Sequence, residues 1–283
     1  MPPSKARIIA LEPYNWVSDA NLYEIESMKK NPLIRLFSLL TLGLFTSLAL
    51  SAESPTTSEK IAAALKDERR SPAEIDRDKN RKPLETLEFF RLKDDMTVLE
   101  IMPGGGWYTT ILGPVLAERG RLLLTIGAER TAERLIGQPG FESTELIPFD
   151  RSNITRSTTS RAMIMPAFSL GVKKVDLALT FRNLHNLTPE ARQHMNKAVF
   201  DTLKKGGMYG VVDHTRRHMQ GDSTEVWRRL DPVLAIQEIQ AAGFQLLDYS
   251  DLHYRPDDEL RYEVGRKSVT GNTDRFTLLF VKP

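Results

Sequence analysis

The sequence predicts an α/β domain built on a mainly parallel sheet with helices on both faces. Three observations carry that reading. Short apolar runs alternate with stretches of helical period through most of the chain. A Gly-rich turn joins the first of these runs to the helix after it. The last two strand-like runs are separated only by a long polar loop, which makes them antiparallel neighbours.

The elements follow in order. Ser71-Pro72-Ala73-Glu74 reads as a capping box with proline at the first helical position, so a short helix begins there. Pro83 opens another, with Leu84, Leu87, Phe89 and Phe90 at helical spacing. Both are expected to lie over the ligand end of the sheet. Residues 96–101 form a compact apolar strand that runs into the turn Met102-Pro103-Gly104-Gly105-Gly106. A helix over 107–119 is expected next, kinked at Pro114 and stopped by Gly120. Strands at 121–126 and 175–180 follow. Thr188 caps a helix with Pro189 at its first position, ended by Lys204-Lys205-Gly206-Gly207. A strand at 208–212, a helix from Asp231-Pro232 to Ala242, and strands at 244–249 and 276–281 complete the set.

Of the 283 residues, 41% are hydrophobic and 27% charged, the composition of an ordinary globular protein rather than a disordered one. Net charge is only +2, which argues against a nucleic-acid partner. On that ground the pairs Arg69-Arg70, Arg216-Arg217 and Arg228-Arg229 read as solvated surface arginines. No cysteine is present, so disulfides, thiolate metal sites and cysteine nucleophiles are excluded.

A targeting signal starts at Met28. Lys29, Lys30 and Arg35 form a positive region, residues 36–50 are almost unbroken apolar chain, and Ala49-Leu50-Ser51 offers small residues for cleavage. At 15 residues the apolar run is shorter than the about 20 a bilayer span needs. A cleaved export signal over 28–52 is therefore expected, with a membrane anchor as the competitor and a periplasmic location as the consequence. Residues 1–27 read as an over-extended start. Residues 53–70 are expected to be a linker and the start of a helical cap, and residues 71–283 the folded domain.

Strand, glycine turn and helix together make the ligand-binding start of an open α/β sheet. Glycine permits a positive φ and a close approach of a ligand to the backbone. The helix after it offers free N–H groups. A dinucleotide site needs G-x-G-x-x-G and a P-loop needs G-K-[ST]; neither is present. What is present is an acid, Glu100, at the strand end, followed by Gly104, Gly105 and Gly106. A fixed carboxylate there suits a cationic amino-acid moiety.

The stretch Val98-Leu99-Glu100-Ile101-Met102-Pro103-Gly104-Gly105-Gly106 resembles motif I of class I S-adenosylmethionine-dependent methyltransferases. It departs from that motif at Met102, where glycine is usual. Residues 100–112 and the later segments 179–186, 210–214, 231–232 and 241–244 look like a group of secreted bacterial methyltransferases. The resemblance covers about residues 71–283. It implies a Rossmann-like, mainly parallel seven-stranded sheet with an antiparallel last strand. It implies S-adenosyl-L-methionine as cofactor, held by Glu100, Met102, Pro103, Gly104, Gly105, Gly106, Trp107 and Tyr108. It also implies contacts at the end of the fourth strand from Phe181, Arg182 and Asn183. The acid that takes the ribose hydroxyls is not clearly filled: Glu129 takes that role if the loop is shifted, or the role is lost at Gly127. The adenine contact is expected after strand three, near Met165-Pro166-Ala167-Phe168.

Methyl transfer is a positioned displacement, with deprotonation of the acceptor where required. The fourth strand's loop, Phe181 to Asn186, is not Asn/Asp-Pro-Pro-Tyr, which disfavours methylation of nucleic-acid bases. Phe181-Arg182-Asn183 is similar to the same stretch in quinone C-methyltransferases and implies a small-molecule or lipid-like acceptor. Histidine is the residue type suited to proton transfer near neutral pH, so His185 reads as a general base. Its alternative role is to hold loop backbone. Asp213 and His214 form a second polar pair in the same region, able to orient or deprotonate a substrate. No ligand-spacing motif supports a metal. The competing functional reading is a non-catalytic, exported ligand-binding protein on the same fold, since fold does not fix function.

Overall fold

The computed structural model describes residues 54–283. The expected export signal and the segment before it lie outside the described residues. Residues 55–283 form one compact unit.

The helices are α1 (Thr57–Ala64), α2 (Pro72–Ile75), α3 (Asp78–Arg81), α4 (Pro83–Phe89), α5 (Thr109–Leu116), α6 (Glu129–Leu135), α7 (Pro189–Thr202) and α8 (Pro232–Ala241). The strands are β1 (Thr97–Ile101), β2 (Arg121–Thr125), β3 (Thr144–Leu146), β4 (Thr155–Arg156), β5 (Met163–Ile164), β6 (Val175–Phe181), β7 (Leu203–His214), β8 (Gln245–Ser250) and β9 (Arg275–Val281). Seven strands make one sheet in the order β3-β2-β1-β6-β7-β9-β8. All neighbours are parallel except β9, which runs antiparallel to both β7 and β8. The seven-stranded sheet and its antiparallel last strand are therefore as expected. β4 and β5 pair separately as a small hairpin.

Strand alternation sorts the core into two layers. Val98, Leu122, Leu124, Leu177, Leu179 and Val212 face α1, α4 and α5. Leu99, Ile101, Leu123, Ala178 and Val211 face α7 and α8. With both faces covered, the central strands need near-continuous apolar sequence, and β1 and β2 have it. The same alternation puts Glu100 on the side of Val98, beneath α5.

Several expectations need correction. The stretch 53–70, expected as a linker and the start of a helical cap, contains α1, entered by a complete capping box of Thr56 and Glu59 and anchored by buried Ile61 and Ala64. The helix after the glycine turn is shorter than 107–119, because Trp107 and Tyr108 belong to the turn and α5 ends two residues after Pro114. The third strand is β3, so Met165-Pro166-Ala167-Phe168 does not follow it; Ile147-Pro148-Phe149-Asp150 does. Arg70, Arg216 and Arg229 are buried, not solvated, at 3%, 9% and 4% exposure. Among the described residues, no helix is long and apolar enough to cross a membrane.

Candidate active site

The site lies at the carboxyl ends of β1, β6 and β7. The chain must turn sharply there, and it does so with unusual backbone. Gly104 and Gly106 sit at φ +61° and +78°. Met102, Ile126 and Arg182, just beyond β1, β2 and β6, also adopt left-handed φ of 54°, 54° and 62°. Met102 thus occupies the conformation that favours the glycine usual in motif I.

The glycine turn is pinned from outside. Thr131 Oγ1 donates to the Gly104 carbonyl at 2.8 Å, and Arg134 donates to the Gly105 carbonyl at 2.8 Å. A Cβ added at Gly104 or Gly105 would meet nothing within 4 Å, so these positions border open space. At Gly106 an added Cβ would stand 2.6 Å from Thr131 Cγ2. Pro103 lies on the same open turn and accepts from the Gly106 N–H at 3.0 Å.

Glu100 is 2% exposed, and its Oε2 accepts from Thr109 Oγ1 at 2.7 Å. Among the described residues it has no ion-pair partner. Burial pushes its carboxyl up to about 7, against the opposing Thr109 hydrogen bond and the Arg81 charge. Trp107 and Tyr108 are 5% and 4% exposed. The Trp107 indole donates to the Glu74 carbonyl at 3.0 Å, and the Tyr108 ring stacks on Phe181 at 3.5 Å. Both aromatics thus fasten the cap helices to the sheet edge. Glu129 opens α6 on the rim, with a half-exposed carboxylate 3.9 Å from Arg151.

Asn183 ties the fourth strand's loop to the glycine turn. Its amide lies 3.1 Å from the Ile101 carbonyl, 3.2 Å from the Met102 carbonyl and 3.1 Å from Thr180 Oγ1. Two hydrogens serve those three acceptors. Two residues further, the His185 backbone N–H donates to Asp213 Oδ2 at 3.0 Å, and His185 Nδ1 bonds Asp213 Oδ1. Asp213 is fully buried and also accepts from the His214 N–H at 2.7 Å. It therefore fixes the His185 ring rather than touching a substrate. His214 faces the other way, bonded to Thr273 Oγ1 at 2.9 Å, 5.5 Å from the His185 ring. Burial, with His185 and nearby arginines adding to it, holds His214 well below the usual histidine range.

With Nδ1 committed, the open nitrogen of His185 is Nε2. The residue lines a cavity of about 750 Å³ walled by Leu187, Leu230, Leu234, Trp227 and Arg228. Trp227 has Arg228 4.9 Å and Arg161 5.6 Å from its ring. Neither this cavity nor the Thr131 and Arg134 clasps were among the sequence expectations. Thr131 lies one helical step into α6 and carries no motif; only its fold neighbour reveals it.

The strand order and the glycine turn after β1 decide the comparison. The fold is that of the class I S-adenosylmethionine-dependent methyltransferases. A methyltransferase of that kind from Aquifex aeolicus is similar to this chain with a TM-score of 0.50 and 15% identity, over 80% of this chain and 98% of that one. The [4+2]-cyclase SpnF is similar with a TM-score of 0.49 and 16% identity, over 81% of this chain and 97% of its own. No family model matches the chain, and no curated protein matches it.

Proposed function

We propose that this chain is an S-adenosylmethionine-dependent methyltransferase acting on a small-molecule or lipid-like acceptor. The observation that carries this reading is one short loop. Asn183 grips the carbonyls of the glycine turn, and His185, two residues on, is held by Asp213 at a large cavity. The loop therefore spans from a nucleoside-binding turn to an oriented base.

The residues present fit the cofactor. Gly104 and Gly105 leave the backbone open to close approach, and Glu100 places a carboxylate under the turn. Bound there, S-adenosylmethionine supplies an electrophilic methyl on a sulfonium. The chain's own residues do the rest. Glu100 favours a cation by its field, because at its depth it makes no direct contact. Met102, Pro103 and the glycines shape the turn, and Glu129 stands at the rim for the ribose hydroxyls. His185 Nε2 accepts the proton that the acceptor gives up as it is methylated, and Asp213 stabilises the resulting imidazolium. The cavity's mixture of leucines, Trp227 and arginines suits an acceptor with an apolar body and a polar end.

Two measurements test this. Calorimetry with S-adenosylhomocysteine should show binding that Glu100→Ala weakens; no binding at millimolar ligand refutes the reading. Transfer of labelled methyl to an extract of small molecules and lipids should fall about 10²–10⁴-fold in His185→Gln with product binding intact. Export rests on the signal from Met28, and N-terminal sequencing of the native protein tests it: a start near Glu53 is expected, and a peptide from residues 11–26 overturns it.

A further inference from the structure

Buried arginines in this protein are normally paired. Arg192 meets Glu238 at 2.6 Å, Arg229 meets Asp258 at 2.9 Å, and Arg70 meets Asp78 at 2.5 Å. Two other buried arginines are not, nor is a half-buried third. Arg81, at the end of α3, is 6% exposed, and its guanidinium lies 4.3 Å from the Trp107 ring centre and 5.7 Å from that of Tyr108. Arg275 opens β9 opposite His214 and is 7% exposed; it donates to the Asn80 carbonyl at 2.7 Å, while its Nε is buried without a partner. Arg182 follows β6, half-buried and in left-handed backbone. Among the described residues none of the three forms a salt bridge.

Strand parity puts His214 and Arg275 on one side of the sheet. His214 shares the face of Val212, toward the cap helices, and its cross-strand partner Arg275 shares that face. Arg81 lies against Tyr108, whose ring stacks on Phe181, the residue before Arg182. The arginines act on one another. Burial first, then the charge of Arg182, pulls Arg81 down to about 8 and Arg275 to about 10. Nearby Glu100 is engaged by Thr109, and Asp213 by His185 and His214. Neighbouring cations withdrawn from water without a salt-bridge partner destabilise a fold unless a ligand supplies the charge. Guanidinium is also the group best shaped to take a carboxylate or phosphate.

We propose that Arg81, Arg182 and Arg275 form a receptor for a small oxyanion, a carboxylate or phosphate, on the cap side of the sheet edge. That group belongs either to the amino-acid end of the bound nucleoside or to the acceptor. The choice between these sources rests on the methyl-transfer reading; the anion site itself does not.

The test uses the full chain and inorganic phosphate, followed by calorimetry and thermal unfolding. Wild type is expected to bind phosphate and to gain thermal stability from it. Arg182→Gln and Arg275→Gln should each weaken that binding at least tenfold, while Arg121→Gln, at an exposed arginine, leaves it unchanged. Arg182→Gln is the variant expected to fold without loss, since its side chain holds no partner. If phosphate competes with S-adenosylhomocysteine, and the variants lose affinity for both, the anion is the nucleoside's carboxylate. If phosphate binds alongside S-adenosylhomocysteine, the anion is the acceptor's. Wild type that fails to bind phosphate at tens of millimolar, with both variants keeping full S-adenosylhomocysteine affinity, overturns the receptor. Failure of S-adenosylhomocysteine to bind while phosphate still does overturns methyl transfer alone.

Discussion

Replacing Glu100 by glutamine should stabilise the protein above neutral pH and leave it unchanged in acid. The carboxyl is buried and lifted from 4.5 to about 7. Between those values the folded state holds more protons than the unfolded chain, so this group's contribution falls as pH rises. The loss is complete once pH passes about 7 and amounts to about 3 kcal/mol. Glutamine keeps an acceptor for Thr109 Oγ1 and carries no charge to desolvate. His253 works in the opposite sense: burial holds it at about 4 instead of 6.5, so its contribution rises with pH across that window. The two slopes nearly offset between pH 4.5 and 6.5 in the wild type. The difference between variant and wild type removes His253 and isolates Glu100. In urea unfolding at pH 4, 6 and 8, that difference should grow from near zero to about 3 kcal/mol. For a domain of this size the equivalent gain in Tm is about 6–12 °C. A difference that stays flat with pH refutes the burial of an ionisable charge at this position. Binding of S-adenosylmethionine, which favours the ionised form, should release protons near pH 7 in the wild type and none in the variant.

Other outcomes follow from the same contacts. Gly105→Ala should fold with wild-type Tm, because its Cβ meets nothing, yet bind S-adenosylhomocysteine more weakly; Gly106→Ala should lose about 2–3 kcal/mol in urea unfolding, since it combines a positive φ with a clash at Thr131. Asp213→Ala leaves two backbone N–H groups and a buried imidazole nitrogen without an acceptor, and should cost about 3 kcal/mol by chemical denaturation. Asn183→Leu removes the strap across the glycine turn and should cost about 2 kcal/mol while weakening product binding in calorimetry.

The fold was legible because both signals behind it are local. Alternating apolar runs mark β1, β2, β6, β8 and β9, and Thr188-Pro189 and Asp231-Pro232 mark two helix starts that the structure places as expected. β3 was missed because three residues carry no period of their own; β2 supplies its hydrogen bonds. The start of a helical cap is expected within 53–70, but the span of α1 is not legible, because its buried face is only Ile61 and Ala64, packed on a helix far along the chain. At the site, the glycine turn and the loop from Phe181 to His185 could be read from residue type and order. The Asp213–His185 pair could be suspected only as neighbours at strand ends. The buried arginines were misread, since guanidinium reads as surface in sequence and burial depends on partners such as Asp258 and Glu238 that no local pattern announces.

The left-handed residues Met102, Ile126 and Arg182 form a row across three adjacent strand ends. Each side chain in that backbone costs about 1–2 kcal/mol, so the row withholds a sizeable part of the 5–15 kcal/mol that typically separates a folded domain from its unfolded chain. Such a ledge holds its shape only because the sheet behind it is rigid enough to impose it. Engineering for heat tolerance would find its readiest gains at these three positions, and each gain would slacken the rim on which a ligand must rest.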